Sequence, residues 1–231
     1  MTRTPATHRL SHLIETATQI FIRKGYRRTQ MADITQAMGL SAGAIYRYVE
    51  SKDTLFDLVV RTAAGPETEA RDVKLPIPTP RPGATLAYVR QLVLQKGRFP
   101  VLERALKTKG AGAGVADFEA IVRELYAAMV RDRRGIKLVE RSALDWPELA
   151  AIWFGQMRHR LIDQLARYLE SRIARRLLRP VPDTKAAARL IVETCAFFAI
   201  HRHEDPFPTP MDEARAEETV VDALVNAYKR G

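Results

Sequence analysis

The most informative segment of this sequence is Thr29-Gln-Met-Ala-Asp-Ile-Thr-Gln-Ala-Met-Gly-Leu-Ser-Ala-Gly-Ala-Ile-Tyr-Arg-Tyr48. Its apolar residues recur at helical spacing in two short runs, residues 29–38 and 41–49, which Gly39 separates. Thr29 and Ser41 are residue types that commonly begin helices. Two short helices joined by a tight turn at a glycine form a helix-turn-helix. The segment therefore predicts an element whose second helix enters the major groove of double-stranded DNA.

Residues within and beside this segment suit contacts with DNA. Ala42 and Gly43 are small, so the start of the second helix can approach the bases closely. The hydroxyls of Tyr46 and Tyr48 and the ammonium group of Lys52 can form hydrogen bonds with phosphates. Arg47 is placed to reach a guanine edge. Core packing is the alternative role for the two tyrosines, and a phosphate or solvent contact is the alternative for Arg47. The predicted DNA-contacting residues are Thr29, Gln30, Ser41, Ala42, Gly43, Tyr46, Arg47, Tyr48 and Lys52.

The flanking sequence extends this pattern in both directions. The pattern comprises an apolar run at residues 14–21, Lys24-Gly25-Tyr26, Thr29, Ile34-Thr35-Gln36-Ala37-Met38-Gly39-Leu40-Ser41, Gly43-Ala44-Ile45-Tyr46-Arg47-Tyr48 and Ser51-Lys52-Asp53-Thr54-Leu55-Phe56. These residues resemble the N-terminal region of the TetR family of bacterial transcriptional regulators. Two positions depart from the family pattern: Val49 stands where Phe is usual, and Ala42 where a basic residue is common. Both departures leave the operator sequence open.

The resemblance implies two domains. Residues 1–58 would form a three-helix helix-turn-helix DNA-binding domain, and residues 59–231 a helical ligand-binding and dimerisation domain with an internal cavity. The last two helices, predicted at 184–201 and 212–228, would pair across a twofold axis. Their apolar stripes comprise Ala187, Leu190, Ile191, Thr194, Phe197 and Phe198 in the first, and Ala216, Val220, Ala223, Leu224, Ala227 and Tyr228 in the second.

Helical spacing also dominates the rest of the sequence, so the predicted fold class is all-α. Four prolines between residues 75 and 83 predict a connector, and the glycines at 110–114 predict a loop. Ser51, Asp183 and Asp212 are predicted helix caps, and Pro147 is a predicted first helical residue. The further helices are predicted at 84–95, 115–130, 136–144 and from 147 to about 178.

Bulky apolar side chains between residues 126 and 198 predict a mainly apolar ligand site. Its predicted lining comprises Met129, Trp146, Trp153, Phe154, Met157, Phe197 and Phe198, with core packing as the alternative for each. They favour a small hydrophobic or aromatic effector, and we expect neither a metal nor another cofactor. Histidines such as His201 and His203 are common at helix ends because they interact with the helix dipole, so we assign them no metal. Cys195 is expected to be an inert buried thiol.

Composition and charge restrict the possible classes of function. The chain of 231 residues is 46% hydrophobic and 28% charged, as globular proteins are. It has no apolar run of the roughly 18 residues that span a membrane and no apolar leader, so a cytoplasmic protein is expected. The net charge of +10 favours polyanions. Residues 1–60 carry only eight Lys or Arg against five Asp or Glu, so the motif and not the charge locates the DNA site. The basic runs 131–134 and 172–179 are expected to be solvated, or else to attract an anionic ligand.

These observations favour a repressor that binds a palindromic operator as a homodimer and is released by a ligand. The dimer would hold its two recognition helices about 34–36 Å apart, one turn of duplex, and the ligand would favour another spacing. The alternatives are an activator, or a nucleoid-associated DNA-binding protein without a small-molecule ligand. An enzyme is disfavoured because the glycines at 110–114 lack the strand and Lys-Ser/Thr of a phosphate loop. A nucleophile elbow and a zinc-binding His-Glu-x-x-His motif are also absent from the sequence.

Overall fold

The computed structural model describes residues 5–41, 43–65, 74–108 and 114–230. The chain forms two compact units, Met1–Leu94 with Arg134–Phe154, and Gln95–Arg133 with Gly155–Gly231. Within the described ranges both units are helical, and the only strand-like pairings are two isolated bridges. The predicted all-α class is confirmed, while the domain boundary at residue 58 stays a prediction.

The first unit contains α1 (Pro5–Lys24), α2 (Met31–Ala37), a 3-10 turn (Ala44–Arg47), α3 (Lys52–Ala64) and most of α4 (Ala84–Lys96). Apolar side chains of α1 recur every three or four residues and turn inward. They meet the apolar faces of α2, the 3-10 turn and α3. The side chains that are almost wholly buried there include Leu13, Ala17, Phe21, Ile34, Ile45, Leu55, Phe56 and Val59.

The starts of the first short helices follow partly from the sequence. Ser51 caps α3 as predicted, because its Oγ accepts a hydrogen bond from the Thr54 N–H at 3.1 Å. The predicted cap Thr29 is wrong: the N-cap of α2 is Gln30, whose N–H donates to the Asp33 carboxylate at 2.9 Å. The Thr29 hydroxyl instead donates to the Gly25 carbonyl at 2.7 Å. Because that bond takes its only side-chain donor, Thr29 closes the turn before α2.

The second unit contains α5 (Pro100–Lys107), α8 (His159–Ala174), α9 (Thr184–Ala199), a 3-10 turn (His201–Glu204) and α10 (Glu213–Tyr228). Asp183 and Asp212 cap α9 and α10 as predicted, accepting from the N–H groups of Ala186 and Arg215. No helix is predicted from the sequence where α5 lies. Among the described residues, no helix is long and apolar enough to cross a membrane.

Two long helical runs cross from one unit to the other. The first, α6 (Val115–Ala143), is a single helix of 29 residues where two had been predicted. A glycine inside a helix costs about 1 kcal/mol, and burial of Leu138, Val139 and Ala143 beyond Gly135 outweighs that cost. The second run begins at Pro147 as predicted, with α7 (Pro147–Ala150), a π-helical segment (Ala151–Arg158) and then α8.

Arg172 of α8 is fully buried, which corrects the expectation that the run 172–179 is a solvated face. Its Nη2 donates to the Ala105 carbonyl at 2.8 Å, in the last turn of α5. The guanidinium also stacks on the ring of Tyr168 at 4.9 Å from the centroid, and Nη2 lies 3.8 Å from a carboxylate oxygen of Asp117. Carbonyls at a helix C-terminus lack helical partners and favour a cation. Arg172 therefore joins α5, α6 and α8.

Glu213 forms a second polar connection, at the start of α10. Its carboxylate accepts hydrogen bonds from the Tyr126 hydroxyl at 2.7 Å and from Arg133 Nη2 at 2.6 Å. Arg202 and His203 approach the same carboxylate at 3.2 and 3.6 Å. Burial alone would raise the pKa of Glu213, but the hydrogen bonds from Arg133 and Tyr126 outweigh it and lower the pKa. Arg133 of the run 131–134 is thus bound within the second unit.

The apolar stripes predicted for the last two helices divide into an inner and an outer set. Six of the twelve residues are buried within the single chain, so that half of the predicted dimer face is wrong. These six are Ala187, Ile191, Ala216, Val220, Leu224 and Tyr228. The others keep exposed surface, and Leu190 and Phe197 are more than half exposed. Cys195 is buried as expected, and burial raises the pKa of its thiol to about 12.

Candidate DNA-binding site

The second helix of the motif is a 3-10 helix, Ala44–Arg47, which we call the reading turn; it is shorter than the helix predicted over residues 41–49. Gly43 is its N-cap, and Ser41 supplies only a backbone carbonyl, to the Ala44 N–H. Ala44 and Ile45 are buried, so they anchor the turn, while Tyr46 and Arg47 are exposed. The turn therefore offers a hydroxyl and a guanidinium to an approaching partner.

The reading turn ends early because the chain after it pairs with a distant segment. Val49 is fully buried and forms a parallel bridge with Ile77. The Ile77 N–H donates to the Tyr48 carbonyl at 2.9 Å, and the Glu50 N–H donates to the Ile77 carbonyl at 3.1 Å. These bonds need extended backbone at Val49, which stops the helix. The smaller residue at this position, noted in the sequence, thus lies in the core.

Residues 74–83, Lys-Leu-Pro-Ile-Pro-Thr-Pro-Arg-Pro-Gly, form the distant segment, which we call the proline strap. Proline fixes φ and has no N–H, so prolines at every second position leave donors only between them. Two of those donors bind the chain just after the reading turn. The Ile77 N–H donates to the Tyr48 carbonyl, and the Thr79 N–H donates to the Glu50 carboxylate at 2.8 Å. The Thr79 hydroxyl also lies 3.0 Å from Ser51 Oγ. The predicted connector therefore also holds the chain after the reading turn in place.

Lys52 lies behind the reading turn and is partly buried. Its Nζ donates to the carbonyls of Tyr26 at 3.1 Å and Thr29 at 3.0 Å, and lies 4.5 Å from the centroid of the Tyr26 ring. Burial lowers the pKa of Lys52. This ammonium therefore holds together the turn between α1 and α2, and its contact with phosphate stays a prediction.

The turn between α1 and α2 is itself packed against later residues of the first unit. Gly25 has a φ of 79°, and a Cβ there would lie 3.0 Å from the Arg141 carbonyl oxygen. The Tyr26 N–H donates to Ser142 Oγ at 3.2 Å. The centroid of the Tyr26 ring lies 4.7 Å from that of Trp146 and 4.8 Å from that of Phe56. Only glycine suits this backbone and this close approach. Trp146 thus belongs to an aromatic cluster with Tyr26 and Phe56, at the turn between α1 and α2.

The structure presents most of the predicted DNA-contacting residues to solvent. The exposed ones are Gln30, Ser41, Gly43, Tyr46 and Arg47; Tyr48 and Lys52 are partly buried. Thr29 is fully buried, so a DNA contact by its side chain would require the turn to open. Ala42 lies outside the described residues.

The predicted ligand residues are divided between the two units, and their role stays a prediction. Trp146, Trp153 and Phe154 belong to the first unit, while Met129, Met157, Phe197 and Phe198 belong to the second. Trp153 is buried, and its indole N–H has no acceptor among the described residues. It lies in the π-helical segment, a type of distortion that often occurs at functional sites.

An open cavity of about 640 Å³ lies along α8 in the second unit. Its lining is mostly polar and includes Arg160, Asp163, Arg167 and Lys185. None of the seven predicted ligand residues lines it, so the apolar pocket expected from the sequence is not this cavity. Within the described part of the chain, no group of three His, Cys, Asp or Glu side chains could hold a metal ion.

Comparison with known families gives the class of protein. Residues 13–59 match the model of the bacterial regulatory proteins of the tetR family, and residues 126–230 match the C-terminal domain of AefR-like transcriptional repressors. The two matches cover the helix-turn-helix and most of the second unit. The chain belongs to the TetR family of transcriptional regulators.

Curated relatives match this chain over a short stretch. The repressor DhaR of Mycobacterium sp. (strain GP1) is 40% identical over 53 residues, which are 23% of this chain and 25% of DhaR. The uncharacterized regulator YfiR of Bacillus subtilis (strain 168) is 33% identical over 54 residues, 23% of this chain and 26% of YfiR. The matched region thus spans about a quarter of each relative.

Solved structures share the whole fold at low identity. The ketosteroid transcriptional regulator KstR2 of Mycobacterium tuberculosis has a TM-score of 0.59 and 14% identity, over 100% of this chain and 98% of that one. AibR, in complex with isovaleryl coenzyme A and operator DNA, has a TM-score of 0.51 and 17% identity, over 95% and 97% of the two chains. At these identities the likeness establishes the fold alone.

Proposed function

We propose that this regulator is a repressor that binds a palindromic operator as a homodimer and leaves it when a small molecule binds. The observation that carries the proposal is the reading turn, which exposes Tyr46 and Arg47 on a buried anchor. Two similarities support repression over activation: the match to AefR-like repressors and the likeness to the repressor DhaR. A cytoplasmic location is part of the same proposal.

The reading turn would combine two kinds of contact. Hydroxyl and backbone groups such as those of Tyr46 and Gly43 suit phosphates, which fix the position of the protein on the duplex. Arg47 carries a planar fork of donors that matches the O6 and N7 acceptors of guanine in the major groove. Arg47 is therefore the proposed source of base selectivity, and the tyrosine contributes affinity for any sequence.

The effector proposed is a small organic molecule with an apolar part. The names of two structures of the same fold include a ketosteroid, which is mostly apolar, and isovaleryl coenzyme A, which joins a short branched apolar chain through a carbonyl to a large polar carrier. In this chain the buried Trp153 offers an indole N–H that lacks an acceptor within the described structure. A ligand carbonyl beside this indole would supply one, and buried polar groups are rarely left unpaired.

Footprinting on the DNA flanking the gene tests the proposed DNA binding. We expect protection of one discrete inverted repeat, and Arg47→Ala should relax selectivity at one base pair of each half-site at a cost of about 1–3 kcal/mol. Arg90→Ala, a change at an exposed arginine of α4, serves as the matched control and should leave the footprint unchanged. Uniform coating of the fragment would instead support a nucleoid-associated role, and activation of the adjacent promoter would contradict repression.

Fluorescence of Trp153 tests the proposed effector. In a Trp146→Phe background, compounds that release the protein from DNA should quench or shift the emission of the remaining tryptophan. Trp153→Phe should weaken effector binding by about 2- to 10-fold, the value of one neutral hydrogen bond, while DNA binding persists. Suitable probes are a steroid ketone, a short acyl-CoA and divalent metal ions. Release by metal ions alone, abolished by substitution of His201 and His203, would contradict an organic effector.

A further inference from the structure

The proline strap carries two positive charges that take no part in its pairing with the chain after the reading turn. Lys74 and Arg81 are its two charged residues, both exposed, and residues 74–83 contain no acid. Neither side chain has a hydrogen bond or ion pair with any described residue. By contrast, Arg61, Lys96 and Arg98 nearby in the sequence are each bound to a carboxylate. The strap therefore presents two cations that no described acid neutralises.

Main-chain pairing fixes the strap beside the reading turn. Neighbouring extended segments lie about 4.8 Å apart, so Ile77 is directly adjacent to Val49, two residues after Arg47. Arg81 follows Ile77 by four residues, a reach of at most about 14 Å for extended backbone. The major groove is about 12 Å wide, with a phosphate backbone along each side. When the reading turn lies inside the groove, the strap paired just after it is close enough to reach one of the two phosphate backbones of the DNA.

The strap is also ordered before any partner arrives. Four prolines in ten residues restrict the unbound backbone, and three hydrogen bonds hold it against Tyr48 and Glu50. A preordered segment loses little conformational entropy on binding. Among the described acids, Glu50 is bound to the strap, where its carboxylate accepts a hydrogen bond from the Thr79 N–H, two residues before Arg81.

We infer that the proline strap is a second DNA-contacting element, which places Lys74 and Arg81 against the phosphate backbone beside the groove that the reading turn enters. The inference rests on the proposed DNA binding and adds a contact outside the helix-turn-helix. The strap would raise affinity for any duplex without reading its sequence, because phosphates carry no sequence information.

Salt dependence of binding measures these contacts directly. The experiment compares the full-length protein with Lys74→Ala/Arg81→Ala by fluorescence anisotropy, on the footprinted fragment and on an unrelated duplex of equal length. Each lost phosphate contact lowers the slope of log K against log [salt] by about 0.9. We expect a decrease of about two per bound protomer on both duplexes, and roughly a 10-fold or greater loss of affinity at 0.1 M salt.

Two further variants make the result decisive. Arg104→Ala/Lys107→Ala removes the same charge from exposed positions of α5 and should leave the slope unchanged. Lys74→Arg/Arg81→Lys keeps the charge and should retain the slope, which separates lost contacts from a disturbed fold. An unchanged slope in Lys74→Ala/Arg81→Ala, or an equal decrease in the α5 variant, would overturn the inference. Failure of the unaltered protein to bind either duplex would instead overturn the proposed function.

Discussion

Arg172→Ala is expected to lower the free energy of unfolding by about 2–5 kcal/mol, because it leaves a buried carbonyl without a donor and removes a large buried side chain. The substitution leaves the Ala105 carbonyl without its 2.8 Å partner and empties the space beside Tyr168. Loss of both the hydrogen bond and the packing should separate α5 from α8. Because small domains are stable by only about 5–15 kcal/mol, chemical denaturation should show the change clearly.

Arg167→Ala is the matched control for this prediction. Arg167 lies five residues earlier on the same helix and is exposed, so its removal should change the free energy of unfolding by less than about 0.5 kcal/mol. Arg172→Lys should fail to restore stability, because an ammonium cannot stack on Tyr168 and reach the carbonyl in the same way. Similar unfolding curves for Arg172→Ala and Arg167→Ala would contradict the assigned role.

Phe197→Glu is expected to convert the protein into a monomer and to weaken DNA binding by about 100-fold or more. Leu190, Thr194 and Phe197 follow one another at helical spacing on α9 and keep exposed surface, whereas Ile191 and Cys195 between them point inward. A large apolar side chain contributes about 1.5–3 kcal/mol when buried, and in a twofold interface it is lost twice. Sedimentation at micromolar concentration and anisotropy with DNA measure the two effects.

Leu144→Glu supplies the comparison for the dimer prediction. Leu144 is 60% exposed and Phe197 54% exposed, so the two substitutions place the same charge on similarly accessible apolar residues. The control should sediment like the unaltered protein and bind DNA normally. A monomeric unaltered protein that binds its operator tightly would contradict the homodimer.

Features encoded by neighbouring residues were predictable from the sequence. The inward face of α1, the caps Ser51, Asp183 and Asp212, and the start at Pro147 all depend on contacts within one or two helical turns. The helix-turn-helix was located for the same reason, since its residues recur at fixed local spacing. Family membership followed from that short region before any tertiary contact was known.

Features that depend on distant residues were missed. The reading turn ends early because Ile77 pairs with the chain at Val49, and α6 stays continuous because residues beyond Gly135 are buried. Trp146 packs on Tyr26, about 120 residues earlier, a contact that no local spacing indicates. The alternating prolines at 76, 78, 80 and 82 are a local signal of the pairing at Ile77, because they indicate an extended segment with donors at the intervening positions.

The position of residues 134–154 in the first unit has a consequence for synthesis of the chain. The Tyr26 N–H donates a hydrogen bond to Ser142, 116 residues later, and the Tyr26 ring packs on Trp146. At 5–20 residues per second, a ribosome needs about 6–23 s to make the chain between them. Throughout that interval Tyr26 and Phe56 lack the indole that covers them in the finished protein. A nascent chain shorter than about 150 residues thus leaves the turn between α1 and α2 without its later packing partners, so this part of the first unit should be completed only late in synthesis.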